Sequence, residues 1–133
     1  MSHYRILIID DDQNFTQVFK LTLEEMGPYE VCVENNADRA ALTALQLRPD
    51  IIFLDVIMPD LEGPDVYTQL KGYDEFKDTP IVFLTATVTK EEVEARDGCI
   101  GGHQFFAKPG SREELIRCIE ATFRRPQYIA DFT

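Results

Sequence analysis

Long apolar runs are missing from this chain: no segment approaches the ~18–20 residues that a membrane-spanning helix requires. Basic residues are scarce as well. Lys and Arg number 13 against 24 Asp and Glu, a formal charge of −11, and a domain that grips nucleic acid normally shows a basic patch instead. Cysteine is sparse: Cys32, Cys99 and Cys118 are odd in number and scattered. They fit neither a disulfide framework nor zinc-ligand spacing, and so point to a reducing compartment. The stretch Met1-Ser2-His3-Tyr4-Arg5 leads straight into a strand-like run without the apolar core of a signal peptide. No internal repeat or low-complexity tract interrupts the chain. These absences predict a cytoplasmic, acidic protein with no membrane partner and no direct hold on nucleic acid.

What is present is enough for one core. The chain has 133 residues, 44% hydrophobic and 28% charged, which fits one folded domain and excludes general disorder. Its strongest pattern is an alternation of short β-branched runs with longer helical stretches. Ile6-Leu7-Ile8-Ile9, Ile51-Ile52-Phe53-Leu54 and Ile81-Val82-Phe83-Leu84 are continuous apolar tetrads, as expected for strands covered by helices on both faces. Val31-Cys32-Val33 and Phe105-Phe106 read as shorter, less central strands. Between them, Phe15, Val18, Phe19, Leu23 and Met26 recur at helical spacing until Gly27-Pro28. Asn36 heads a helix bearing Ala37, Ala41, Ala44 and Leu45. Gly63-Pro64 opens another, with Val66, Tyr67 and Leu70 inward. Thr89 with Glu92, and Ser111 with Glu114, match the capping box; the second of these starts a helix with Leu115, Ile116, Ile119 and Phe123 on its face. Lys71 to Thr79 reads as a loop. Five strands alternating with five helices predict a doubly wound α/β domain of three layers.

In such sheets ligands bind at the carboxyl ends of the strands, and four strands end in a reactive group. The first ends in Asp10-Asp11-Asp12, the third in Asp55 and the fourth in Thr85; the fifth is followed by Lys108-Pro109. Parallel strands bring these ends to one rim. Asp12 has the position of a helix cap, but Asp10, Asp11 and Asp55 gathered in a partly dehydrated cleft would repel one another strongly. A hard divalent cation resolves that conflict, and Mg2+ typically takes one or two carboxylates plus a substrate phosphate. With the Lys108 ammonium and the Thr85 hydroxyl added, the set suits phosphoryl transfer.

The same residues carry a family resemblance. Ile-Leu-Ile-Ile-Asp-Asp-Asp at 6–12, Leu54-Asp55-Val56-Ile57-Met58-Pro59-Asp60 with Gly63, Leu84-Thr85-Ala86, and Phe106-Ala107-Lys108-Pro109 resemble the receiver domain of bacterial two-component response regulators. Order and spacing hold from about Tyr4 to Phe123. The resemblance implies a flavodoxin-like (βα)5 fold with a parallel sheet of order 2-1-3-4-5, a receiver domain over 1–124 and a tail or linker over 125–133. It implies that Asp55 takes a phosphoryl group from a histidine kinase or phosphotransfer protein. Asp11 would bind Mg2+ directly, Asp10 through a water, and the Ile57 carbonyl would add a ligand. Lys108 would pair with Asp55 at rest and with the phosphoryl oxygens afterwards. Thr85 and Phe105 would act as the switch pair, and the Lys108-Pro109 peptide would be cis. The surface of the fourth helix (Lys90 to Asp97), fifth strand and fifth helix would carry the signal to a downstream protein, to a fused output domain or into a phosphorylation-dependent homodimer.

Some positions depart from the family pattern. Phe105 lacks the hydroxyl that tyrosine often brings, Gly110 stands where phenylalanine is frequent, and Ile57 and Thr87 occupy the positions that tune phosphoryl lifetime. Three rival readings are weaker. An aspartyl phosphatase of the haloacid-dehalogenase kind needs a second aspartate two residues after the nucleophile, where this chain has Ile57. A flavodoxin needs a Ser/Thr/Gly-rich loop after the first strand, where this chain has three carboxylates that would repel a flavin phosphate. A pseudo-receiver that binds partners without phosphorylation would not need the intact acceptor set. Cys32, Cys99 and Cys118 read as small apolar fillers, and His3 and His103 as surface residues.

Overall fold

The apolar tetrads become the middle of a mainly parallel sheet. The structure, a computed structural model, describes residues 4–56, 63–86, 99–100, 103–108 and 111–124, with backbone alone at 99–100, 103 and 123–124. In chain order it consists of β1 (Tyr4–Ile9), α1 (Gln13–Met26), β2 (Tyr29–Glu34), a 3-10 turn (Ala37–Arg39), α2 (Ala40–Leu47), β3 (Ile51–Asp55), α3 (Gly63–Lys71), a second 3-10 turn (Asp74–Phe76), β4 (Ile81–Thr85), β5 (Cys99–Ile100), β6 (His103–Ala107) and α4 (Arg112–Arg124). The strand order is β2-β1-β3-β4-β6-β5. The five strands expected from the sequence are parallel and follow the expected 2-1-3-4-5 order. The two-residue β5 adds an antiparallel edge beside β6 that the periodicity did not show.

Because side chains alternate across a strand, each tetrad feeds two separate cores. Leu7, Ile9, Ile52, Leu54, Ile81 and Phe83 pack under α2 and α3, where Ala40, Ala44, Val66 and Leu70 are buried. Ile6, Ile8, Ile51, Phe53, Val82, Leu84 and Phe106 face the other way, onto Phe19 and Leu23 of α1 and Leu115 and Ile119 of α4. Double coverage is why the runs are continuous rather than alternating. It also buries the runs themselves: the relative exposure of β3 residues 51–54 is 0%.

The helix faces are narrower than their apolar residues suggest. Val18 is 64% exposed and Ile116 37% exposed, so neither belongs to the core stripe expected of it. Thr16 is buried in α1 instead, its hydroxyl donating to the Gln13 carbonyl at 3.1 Å and accepting from Asn35 Nδ2 at 3.1 Å. The Ser111 capping box forms in both directions: the Ser111 N–H donates to Glu114 Oε1 at 2.7 Å, and the Glu114 N–H donates to Ser111 Oγ at 3.1 Å. Thr89 and Glu92 lie outside the described residues, as does the expected helix from Lys90 to Asp97. The 71–79 connection is more ordered than a plain loop, since Phe76 is buried there and Lys71 Nζ donates to the carbonyls of Phe76, Lys77 and Thr79. Burial lowers the Lys71 pKa, with Asp78 opposing it. Cys32 and Cys118 each pack against one core as fillers, and burial pushes the Cys118 thiol up to about 12.

Candidate functional site at the carboxyl rim of the sheet

The three aspartates after β1 divide their roles by position. The Asp10 N–H donates to the Glu34 carbonyl at 3.2 Å, and its own carbonyl accepts from Asn35 Nδ2 at 2.7 Å, which ties it to the end of β2. Its side chain is fully buried, with Oδ1 accepting from the Asp12 N–H at 3.0 Å. Asp11 is exposed at the rim. Asp12 caps α1, Oδ1 accepting from the Phe15 N–H at 3.0 Å, as its position predicted.

The neighbouring strands bring the remaining groups. Asp55 is the last residue of β3, in register with Leu84, and is buried. Thr85 ends β4 opposite Ala107 and is buried. The Lys108 N–H donates to the Thr85 carbonyl at 2.7 Å, holding the residue after β6 against the β4 end. Lys108 Nζ then meets Asp10 Oδ2 at 2.5 Å and Asp55 Oδ1 at 3.3 Å. These groups line a depression of about 270 Å³, with Val56 and Ala86 on its wall. Sequence-distant residues therefore converge where the parallel topology requires.

The electrostatics are unbalanced. One ligand oxygen from each of Asp10, Asp11 and Asp55 lies within 4.8 Å of the other two, and among the described residues these three carboxylates share the Lys108 ammonium. Burial, then the Asp10 charge, pushes the Asp55 carboxyl up to about 6; Lys108 pulls the other way and Asp11 adds to the rise. Burial works to lower the Lys108 pKa, but the Asp10 and Asp55 carboxylates outweigh it and the net shift is upward. Asp10 Oδ2 is buried without a hydrogen bond, its Lys108 contact being a close ion pair rather than a well-angled bond. A donor set of hard carboxylate oxygens, one of them buried and under-satisfied, fits a small divalent cation such as Mg2+.

Gly63 sets how closely α3 approaches this rim. Its N–H donates to the Val56 carbonyl at 2.7 Å, and a Cβ there would lie 2.4 Å from the Asp55 carbonyl oxygen and 2.9 Å from Val56 Cα. Both obstacles are backbone, so neither can rotate aside. Gly63→Ala is expected to cost about 2–3 kcal/mol in urea unfolding, as overpacking does at its upper end, and to displace Asp55. Unchanged stability would contradict this close packing.

Asp10, Asp11, Asp55, Thr85 and Lys108 thus gather as the sequence suggested. Phe105 does not belong to the acid cluster: it sits half-buried against Phe83, ring centroids 5.3 Å apart, on the α2–α3 side of the sheet. Ile57, Thr87, Pro109 and Gly110 lie outside the described residues, and with them the expected carbonyl ligand and the cis peptide. Two site neighbours escaped the sequence reading. Asn35, which follows β2 on the same rim, could have been found from strand order. Phe15, whose ring lies under Lys108, could not, because helical periodicity marks it only as core.

Comparison with known proteins identifies the family of the fold. The family model described as response regulator receiver domain matches residues 6–120. The nisin biosynthesis regulatory protein NisR of Lactococcus lactis is 34% identical over 125 residues, covering 93% of this chain but 52% of NisR. The protein PilH of Pseudomonas aeruginosa is 34% identical over 119 residues, covering 88% of this chain and 95% of PilH. The chain thus spans about half the length of one relative and nearly all of another. Among solved structures, the chemotaxis protein CheY4 of Vibrio cholerae superposes with a TM-score of 0.77 at 27% identity, covering 91% of this chain and 99% of CheY4.

Proposed function

The chain belongs to the response regulator receiver family, and from that premise we propose that Asp55 is the phosphoacceptor of a two-component relay. Receiver domains are signalling domains, and the chemistry expected of this one is its own phosphorylation and dephosphorylation. One Asp55 carboxylate oxygen attacks the phosphorus of a phosphohistidine on a histidine kinase or phosphotransfer protein. The P–N bond breaks, its electron pair stays with the imidazole, and Asp55 carries an acyl phosphate. Asp10, Asp11 and Asp55, with the Ile57 carbonyl, would hold Mg2+, which supplies positive charge to the transferring oxygens. Lys108 binds the same oxygens as a compact ammonium, and the Thr85 hydroxyl donates to them.

Readout follows from that added charge. Lys108 and Thr85 bind the phosphoryl group better in one of two arrangements of the rim, so phosphorylation shifts the population between them. Thr85 ends β4 beside β6, and Phe105 packs on Phe83 of β4. We therefore assign the switched surface to Thr85, Phe105, the 90–97 segment, β6 and α4. Its partner is a downstream protein, a fused output domain or a second copy, and the setting is the cytoplasm.

The observation that carries this reading is the meeting of Asp10, Asp11 and Asp55 with Lys108 and Thr85 at one sheet edge. Intact-mass measurement after acetyl phosphate and Mg2+ tests it. A single phosphoryl adduct is expected on the wild type and none on Asp55→Asn. Equal adduct in both removes Asp55 from the role, and steady hydrolysis of a generic phosphomonoester would favour a phosphatase instead.

A further inference from the structure

Lys108 has a third neighbour that is not a carboxylate. Its Nζ lies 4.6 Å from the centroid of the Phe15 ring. That ring is held from both ends. Its backbone is fixed in the first turn of α1 by the Asp12 cap. One turn on, Phe15 stacks against Phe19 with centroids 5.0 Å apart and planes at 23°. Phe19 in turn meets Phe53 edge-on at 5.2 Å in the core. An aromatic column therefore runs from the centre of the sheet to the lysine.

The ring differs from the carboxylates in what it can do to the ammonium. A carboxylate competes for the N–H donors, whereas a π face attracts the cation while leaving donors free for oxygens on the other side. Phe15 also covers part of a half-buried lysine that would otherwise be more hydrated. A lysine head rides on a flexible four-carbon stem, and without the ring that of Lys108 would sample more positions than those reaching both Asp10 and Asp55.

We propose that Phe15 is the positioning residue of Lys108, its π face holding the ammonium over the acceptor carboxylates in readiness for the incoming phosphoryl oxygens. The kinetic part rests on the phosphoacceptor reading above; the placement of Lys108 does not. A conformationally ordered ammonium shortens the approach to the transition state, while a wandering one must be recaptured at each event.

The test compares wild type with Phe15→Leu, Phe15→Tyr and pentafluorophenylalanine at position 15, which keeps nearly the ring's size but reverses its quadrupole. Two readouts are taken. The first is the Lys108 Cε proton shift in magnesium-free protein, expected upfield in wild type and Phe15→Tyr and displaced toward the random-coil value in Phe15→Leu. The second is the phosphorylation rate from acetyl phosphate at saturating Mg2+. The rate should fall about three- to tenfold in Phe15→Leu and in the fluorinated protein, with Phe15→Tyr within about twofold of wild type. Equal rates throughout, or a Phe15→Leu loss that Phe15→Tyr does not rescue and the fluorinated ring does not share, would overturn the inference. An unshifted Lys108 in wild type would do so as well. Should Phe15→Leu fail to fold, the tyrosine and fluorinated rings decide it alone. Absence of any adduct on the wild type would instead strike the phosphoacceptor reading, while the shift comparison would still judge the placement.

Discussion

Lys108→Met is expected to destabilise the magnesium-free protein by about 3–5 kcal/mol at pH 8, the cost of removing one partner from a buried ion pair. Methionine preserves much of the stem's apolar volume, so the loss reports the charge. Asp10 has no exposure to solvent and would be left with an uncompensated carboxylate, while Asp55 would lose the group that, among the described residues, lowers its pKa. The sign of the pH effect follows. Asp55 already has a raised folded pKa, so its ionisation opposes folding, and removing Lys108 raises that pKa further. The penalty should therefore be largest above the raised value and shrink on acidification as Asp55 takes up a proton. Urea unfolding in EDTA at pH 8 and at pH 5 measures both points. Magnesium should recover more stability in Lys108→Met than in wild type, because the cation takes over the neutralisation the lysine provided. An unchanged unfolding midpoint at pH 8 would mean that Lys108 is not the counter-charge described here.

Much of the fold is legible in the sequence because double burial leaves a simple mark. A strand covered on both faces has no position where a polar residue is free of cost, so Ile51 to Leu54 and Ile81 to Leu84 read as unbroken apolar runs. The reactive residues are legible for a related reason. Each stands directly after such a run, and parallel topology carries every run's end to the same rim. Asp55 and Lys108 are 53 positions apart in the sequence yet meet at 3.3 Å.

Helix faces are less legible, since periodicity reports apolar residues but not which ones the sheet reaches. In α1, Val18 points to solvent while Thr16 is buried. A threonine passes as polar in any pattern, and its burial becomes favourable only once Gln13 and Asn35 satisfy the hydroxyl. Phe76 is similar. It lies in a segment that reads as loop, and its burial depends on Lys71 reaching three carbonyls around it. The Asn35–Thr16 contact and the reach of Lys71 to Phe76, Lys77 and Thr79 join residues that share neither a strand nor a helix face, so no local period encodes them. Phe15 combines both difficulties, being correctly apolar in the pattern while its ring also serves a lysine from the far end of the chain.

Asp55→Asn should stabilise the magnesium-free protein at neutral pH, even though it removes an ion-pair partner of Lys108. The folded protein holds the Asp55 carboxyl up at about 6, against an ordinary value of 3.8, so the ionised form is worse placed in the fold than in the open chain. Fully realised, that gap corresponds to about 3 kcal/mol, and screening by solvent in the rim depression that Asp55 lines reduces the expectation to about 1–2 kcal/mol. The cost is absent below the unfolded value and complete above the folded one. Wild-type stability should therefore decline relative to Asp55→Asn as pH rises from about 4 to about 6, and the difference should stay constant beyond. Lys108 also meets Asp10 at 2.5 Å, so its charge is not stranded when Asp55 is replaced. Magnesium should reverse the ranking by stabilising wild type in proportion to its occupancy, while binding the variant more weakly with one carboxylate fewer. Thermal unfolding of both proteins across this pH range, in EDTA and in Mg2+, provides the comparison. A variant less stable than wild type in EDTA at pH 7 would show that the Lys108 pairing outweighs the repulsion from Asp10 and Asp11. A site strained by its own charges until a cation or phosphoryl group arrives would then be the wrong description of this rim.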